Sequence, residues 1–157
     1  MSTELVQIGA KAPEIALPRD GGETVTLADF AGKPVVLFFY PKASTPGCTT
    51  EACDFTARAT DFEAAGAVVL GISKDSVKRQ ENFAAKQSLS MPLLSDAEGD
   101  VCERYGVWAE KKMYGKSFMG IVRTTVLIGA DGNVAQVWPK VKVAGHAEEV
   151  LEAVRAL

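Results

Sequence analysis

No stretch of this 157-residue chain approaches the ~20 consecutive apolar residues that a membrane-spanning helix needs, so no membrane role is expected. The segment Met1 to Pro18 is interrupted by Glu4, Lys11 and Glu14 and lacks the apolar core of a signal peptide. Cysteine is scarce. Three of them, an odd number, do not make a secreted disulfide framework, and a cytoplasmic location with reduced resting thiols is expected. Basic charge is not in excess either: 17 Lys and Arg against 20 Asp and Glu leave a formal charge of -3. Nucleic-acid binding through a basic field is thereby disfavoured. There is one histidine, His146, expected to cap the last helix or to lie in solvent. C-x4-C followed by two long gaps matches no usual zinc spacing, so no metal is expected. Repeats, low-complexity tracts and linkers are absent. With 47% hydrophobic and 24% charged residues, the whole of 1–157 reads as one globular domain with a single core.

Turn residues and apolar runs divide the chain into alternating elements. Gly21, Gly22, Gly32 and Pro34 punctuate an N-terminal section with a short hairpin around Glu23 to Leu27. Val35 to Tyr40 is continuously apolar and aromatic, the pattern of a strand covered on both faces. Pro46 suits a first helical position, where its missing N–H costs nothing, and the helix is predicted to run through Phe55 towards Phe62. Ala67 to Ser73 is a second buried strand, and Asp75 to Gln87 a helix with Val77, Phe83 and Ala84 facing inward. Leu93 and Leu94 suit a short strand and Asp96 to Tyr105 a short helix. Thr124 to Ile128 and Val134 to Trp138 flank an Asp-Gly turn, a hairpin signal. Glu148 to Leu157 is a final amphipathic helix. This order predicts an α/β, thioredoxin-like fold, a mixed central sheet with helices on both faces.

Chemistry concentrates in Val35 to Phe55, where a strand, a turn and a helix deliver Cys48 to the helix's first turn, with Cys53 five residues on. A free thiol with a pKa near ~8.5 is mostly protonated at neutral pH, so an attacking cysteine needs help. A helix N-terminus supplies some of it through unpaired N–H groups and partial positive charge. Pro46-Gly47 is poor core material and good loop-to-helix material, so Cys48 reads as a nucleophile.

The string Pro41-Lys42-Ala43-Ser44-Thr45-Pro46-Gly47-Cys48 resembles the peroxiredoxin active-site signature. YPKASTPGCTTEACDF is similar to that of the peroxiredoxin Q, or bacterioferritin comigratory protein, branch. The likeness extends to APEIALPRDGGETVTLADFAGKPVVLFFYP, VLGISKDS and RTTVLIGADGNV, nearly the whole chain. The resemblance implies a cofactor-free, thiol-dependent peroxidase acting on hydrogen peroxide and organic hydroperoxides, recycled by thioredoxin or a similar thiol reductant, and monomeric. It implies that Cys48 attacks the peroxide and becomes a sulfenic acid. It also implies that Thr45 sets a hydroxyl beside sulfur and peroxide, that Pro41 shields the pocket, and that Arg123 stabilises the thiolate and holds the peroxide. Glu51 then orients Arg123. From residue type alone, Thr45 also suits N-capping and Pro41 strand termination, while Arg123 and Glu51 read as solvated residues.

In family members with this spacing the second thiol resolves the sulfenic acid, which implies a Cys48–Cys53 disulfide. An intact helix forbids it. Residues i and i+5 have Cα atoms roughly 8–9 Å apart and point about 140° away from each other, whereas a disulfide tolerates at most ~7 Å. The helix must therefore unwind for resolution, and Thr49 and Thr50 are weak helix formers. Cys102 reads as a packing residue and is the competitor for the resolving role. The stretch Trp108 to Ile121, with Lys111, Lys112 and Lys116 among Met113, Tyr114, Phe118 and Met119, is either a partner-facing loop near the site or a connection that tucks its side chains over the core. Neither the GGLG string nor the C-terminal Tyr-Phe pair of oxidation-sensitive relatives is found, so resistance to overoxidation is expected. Two other functions compete. A thiol–disulfide oxidoreductase on this fold would want C-x-x-C, and a peroxide sensor would want an output partner.

Overall fold

A computed structural model describes residues 5–157, apart from the Met113 side chain; Glu4, one of the charges noted near the N-terminus, lies outside the described residues. The elements in order are β1 (Ala16–Pro18), β2 (Thr24–Thr26), a 3-10 turn (Leu27–Phe30), β3 (Val35–Phe39), α1 (Pro46–Ala57), α2 (Ala59–Ala64), β4 (Val68–Ser73), α3 (Val77–Gln87), β5 (Leu93–Ser95), α4 (Val101–Arg104), β6 (Trp108–Met113), β7 (Lys116–Ile121), β8 (Thr124–Ile128), β9 (Val134–Trp138) and α5 (His146–Arg155).

The central sheet runs β5-β4-β3-β8-β9. β3 pairs in parallel with β4 and antiparallel with β8, so the sheet is mixed, and β3 lies at its centre. Alternation along β3 sends Val35, Leu37 and Phe39 to one face and Val36, Phe38 and Tyr40 to the other. Against the second set pack α1, α2, α3 and α5, through Cys48, Ala52, Phe55, Phe62, Phe83, Val150 and Val154. The first set is covered by α4, through Val101 and Cys102, and by the β1–β2 hairpin. Helices thus lie on both faces, unequally. No helix among the described residues is long and apolar enough to cross a membrane.

Several elements differ from their sequence expectations, each for a visible reason. The helix through Phe62 breaks at Arg58, whose φ of -106° and ψ of 13° leave the helical region. Two turns of straight helix would set Phe55 and Phe62 ~10 Å apart along the axis, whereas the break brings their rings to 5.8 Å. α3 starts at Val77 because the Ser76 hydroxyl accepts from the Arg79 N–H as its cap. Its innermost residues are Phe83 and the fully buried Gln80, while Val77 and Ala84 are only half-buried. α4 shrinks to one turn because the Asp96 carboxylate, buried, accepts from the Val101 and Cys102 N–H groups at 3.2 and 2.8 Å. The stretch from Trp108 to Ile121 is an antiparallel hairpin, β6 with β7, and not a loop. Its base packs on the core through Trp108 and Ile121, but Tyr114, Phe118 and Met119 are exposed.

Candidate active site

β3 ends at Phe39 and the chain crosses the edge of the sheet through Pro41–Thr45 before α1 begins at Pro46. Ser44 takes a left-handed φ of 65° there. Pro46 at the first helical position and Cys48 at the third put the sulfur in the helix's first turn, with the residue 1% exposed. β8 brings the partner from the opposite side. Arg123, immediately before Thr124, donates from Nη2 to Cys48 Sγ at 3.2 Å and from Nη1 to Glu51 Oε1 at 2.8 Å. A charged guanidinium therefore bridges a thiol and a carboxylate that lie one helical turn apart on the same face of α1.

Neither Arg123 nor Glu51 is the solvated residue that its type alone suggests. Glu51 is 2% exposed, and its Oε2 has no hydrogen-bond partner among the described residues. Burial pushes its carboxyl up to about 7, with Arg123 pulling the other way. Burial opposes the Arg123 charge too, but Glu51 and Cys48 together hold it above the ordinary arginine value. Gly47 leaves room beside the bridge: a Cβ there would stand 3.1 Å from Arg123 Nη2, closer than ordinary contact. A second cation, Lys111 on β6, is fixed by a bond from Nζ to the Ile121 carbonyl at 2.8 Å. Burial, with the Arg123 charge behind it, lowers this ammonium.

Thr45 occupies the N-cap with φ of -85° and ψ of 155°, yet its side chain makes no cap bond. Its hydroxyl donates instead to the Lys42 carbonyl at 2.7 Å, closing the loop on itself. Pro41 is half-buried at the start of that loop. Cys53 is half-buried and points to α3, its Sγ 3.9 Å from Gln87 Oε1. Both α1 cysteines are free and the helix between them is unbroken. Cys102 is fully buried in the cluster on the other face of the sheet from Cys48, where burial and Asp96 push its thiol well up.

His146 is neither a cap side chain nor solvated. It is buried at the start of α5, its Nε2 2.8 Å from Thr125 Oγ1, with its ring edge-on to Phe55 and Trp138. Burial lowers its pKa. A buried polar chain beneath the loop is also new: Tyr40, Ser73, Asp75 and Gln80 bond in series. Their signal in sequence is limited to Tyr40, Ser73 and Asp75 placed where β3 and β4 end; Gln80 lies within α3.

Residues 8–137 match the model of the AhpC/TSA family. Peroxiredoxin Bcp of Xanthomonas campestris is 47% identical over 156 residues, covering 99% of this chain and 98% of the relative. Peroxiredoxin Bcp of Bacillus subtilis is 46% identical over 150 residues, covering 96% of each. Among solved structures, the Xanthomonas campestris bacterioferritin comigratory protein, studied for its alkyl peroxide reduction, superposes with a TM-score of 0.89 at 47% identity, over 96% of this chain and 98% of that one. Mycobacterium tuberculosis AhpC, at 26% identity, still gives 0.80 over 97% and 93%. These matches, over nearly the whole chain, place it in the AhpC/TSA family, in its peroxiredoxin Bcp branch, as a peroxidase, in accord with a cysteine at a helix start met by an arginine just ahead of a central strand.

Proposed function

We propose that the chain reduces hydrogen peroxide and organic hydroperoxides through Cys48 and is recycled by thioredoxin through a Cys48–Cys53 disulfide. The observation that carries this reading is the Arg123 bridge, 3.2 Å from the sulfur and 2.8 Å from Glu51. The Cys48 thiolate attacks one peroxide oxygen, the O–O bond breaks, and a proton joins the leaving oxygen. Sulfenic acid and water or an alcohol result. Negative charge migrates from sulfur to that oxygen, and the Arg123 guanidinium, held 3.2 Å from the sulfur, stabilises it as it moves. Glu51 keeps the guanidinium turned to the sulfur. Thr45 contributes its hydroxyl, and Pro41 screens the pocket from water.

Cys53 then attacks the sulfenic sulfur, forming the disulfide and releasing water. The unbroken α1 between the two thiols supports a switch in which its first turns unwind before this step. A dithiol reductant restores both thiols by exchange. The enzyme works as a monomer in the cytoplasm, where its resting thiols stay reduced.

Peroxide consumption coupled to thioredoxin, thioredoxin reductase and NADPH tests the reading. Cys48→Ser is expected to abolish all reaction. Cys53→Ser is expected to keep a single oxidation event and lose turnover. Stoichiometric oxidation of the wild-type protein without turnover would instead mark a sensor.

A further inference from the structure

The loop that delivers Cys48 is tied down at one backbone atom by a side chain from another element. The Ala43 N–H donates to Asp75 Oδ2 at 2.7 Å, and the same oxygen accepts from the Ser73 hydroxyl at 2.6 Å. Ser73 Oγ accepts in turn from Gln80 Nε2 at 2.9 Å, Gln80 also donates to the Leu94 carbonyl at 2.8 Å, and Tyr40 donates to the Gln80 side-chain oxygen. Every member of this chain of bonds is buried, with Ala43 and Asp75 the least so at 8% exposure each. The bonds join the ends of β3, β4 and β5 to α3, so Asp75 stands on the rigid edge of the sheet.

We propose that Asp75 is a positioning residue that pins the active-site loop at Ala43 and so sets the upstream hinge of the redox switch. The segment bracketed by the Ala43 anchor on one side and the Arg123–Glu51 bridge on the other is residues 44–50. It begins with Ser44 at a left-handed φ of 65°, a conformation that costs free energy unless its surroundings hold it. Resolution by Cys53 needs that segment to rearrange; Asp75, just ahead of α3, anchors the loop near its start, and Gln87 at the end of α3 touches Cys53. Releasing the anchor lets the segment open more often, which slows attack on peroxide and hastens resolution. The assignment rests on the Cys48–Cys53 reading only for its second consequence; the anchor itself acts in the reduced protein.

The test compares reduced wild type with Asp75→Ala and Asp75→Asn by amide hydrogen exchange. A buried bond to a carboxylate is worth enough that Asp75→Ala is expected to speed exchange of residues 44–50 by roughly ten- to a hundred-fold. Exchange in β8 is expected to stay unchanged. Asn can still accept both bonds without charge, so Asp75→Asn is expected to show only about three- to ten-fold and serves alone should the alanine variant not fold. Under excess peroxide, the fraction of Cys48 trapped as sulfinic acid is expected to fall in the order wild type, Asn, Ala. Unchanged exchange in 44–50, or a rise shared equally by β8, would overturn the anchor. Absence of a Cys48–Cys53 disulfide in the wild type would defeat the resolving assignment while the exchange result still decides the role of Asp75.

Discussion

Arg123→Met separates what the guanidinium does for the chemistry from what it does for the fold. Methionine keeps an unbranched stem and removes two bonds, to Cys48 at 3.2 Å and to Glu51 at 2.8 Å. Glu51 is left 2% exposed with neither oxygen paired among the described residues, where Oε2 already lacks a partner. An ionised carboxylate stranded in this way costs roughly 3–5 kcal/mol. Protonation is the cheaper outcome. Burial already pushes the Glu51 carboxyl up to about 7 against the pull of Arg123, so without that pull it stays neutral at pH 7. The loss then falls to the desolvation of an unpaired polar group, about 1–3 kcal/mol. The kinetic loss is of a different kind. Removing one preorganised charged donor from a site of developing charge slows the chemical step by roughly 10²–10³. Urea unfolding and stopped-flow fluorescence, with Trp108 and Trp138 as reporters, measure the two effects on the same samples. Adding Glu51→Met to Arg123→Met, which removes the unpaired polar group, is expected to recover part of the stability and none of the rate. A double variant that regains the rate, or an Arg123→Met rate within about threefold of wild type, would refute the reasoning.

Gly47→Ala places a Cβ 3.1 Å from Arg123 Nη2; the guanidinium must shift, and the peroxide step is expected to slow by about three- to ten-fold with little change in urea midpoint. His146 has a lowered pKa from burial, so its neutral ring contributes stability that is complete above the unfolded value of ~6.5 and is lost as pH falls below it. Glu51, raised to about 7 from 4.5, has the opposite sign: its contribution is greatest below 4.5 and declines as pH rises through 7. His146→Gln is therefore expected to lose less stability than wild type between pH 6.5 and 5, and an unchanged pH slope in urea titrations would contradict the buried neutral ring. Cys102→Ser is expected to leave thioredoxin-supported turnover intact while lowering stability by about 1–2 kcal/mol, because a hydroxyl replaces a thiol in the core. Loss of turnover in that variant would move the resolving role to Cys102.

The strands were legible because burial writes itself into composition. Val35–Phe39 and Thr124–Ile128 are buried at every position, and their apolar runs say so. Cys48 was legible for a different reason: Pro46 and Gly47 mark a helix start and not a core. Interactions between distant elements left no such mark. His146 looked solvated because nothing local reveals that Phe55, Thr125 and Trp138 close around it. Gln80 and Asp75 are ordinary surface types, buried because their polar atoms find partners at the sheet edge. The break at Arg58 carries no proline or glycine signal; it follows from packing Phe55 and Phe62 against one another. Arg123 and Glu51 were placed by resemblance, since a strand-end arginine and a helix glutamate look alike whether paired or solvated. The hairpin from Trp108 to Ile121 was obscured by its turn, where Tyr114 holds a left-handed φ of 54° that the usual Asn-Gly would have announced.

Oxidation of the wild-type protein with one equivalent of peroxide, followed by disulfide mapping and amide exchange on the same sample, tests the helix-to-loop switch most directly. A Cys48–Cys53 disulfide is expected together with loss of protection from Thr45 to Phe55, while β3 and β8 stay protected. A mapped Cys48–Cys53 disulfide in a helix that keeps its protection would contradict the switch.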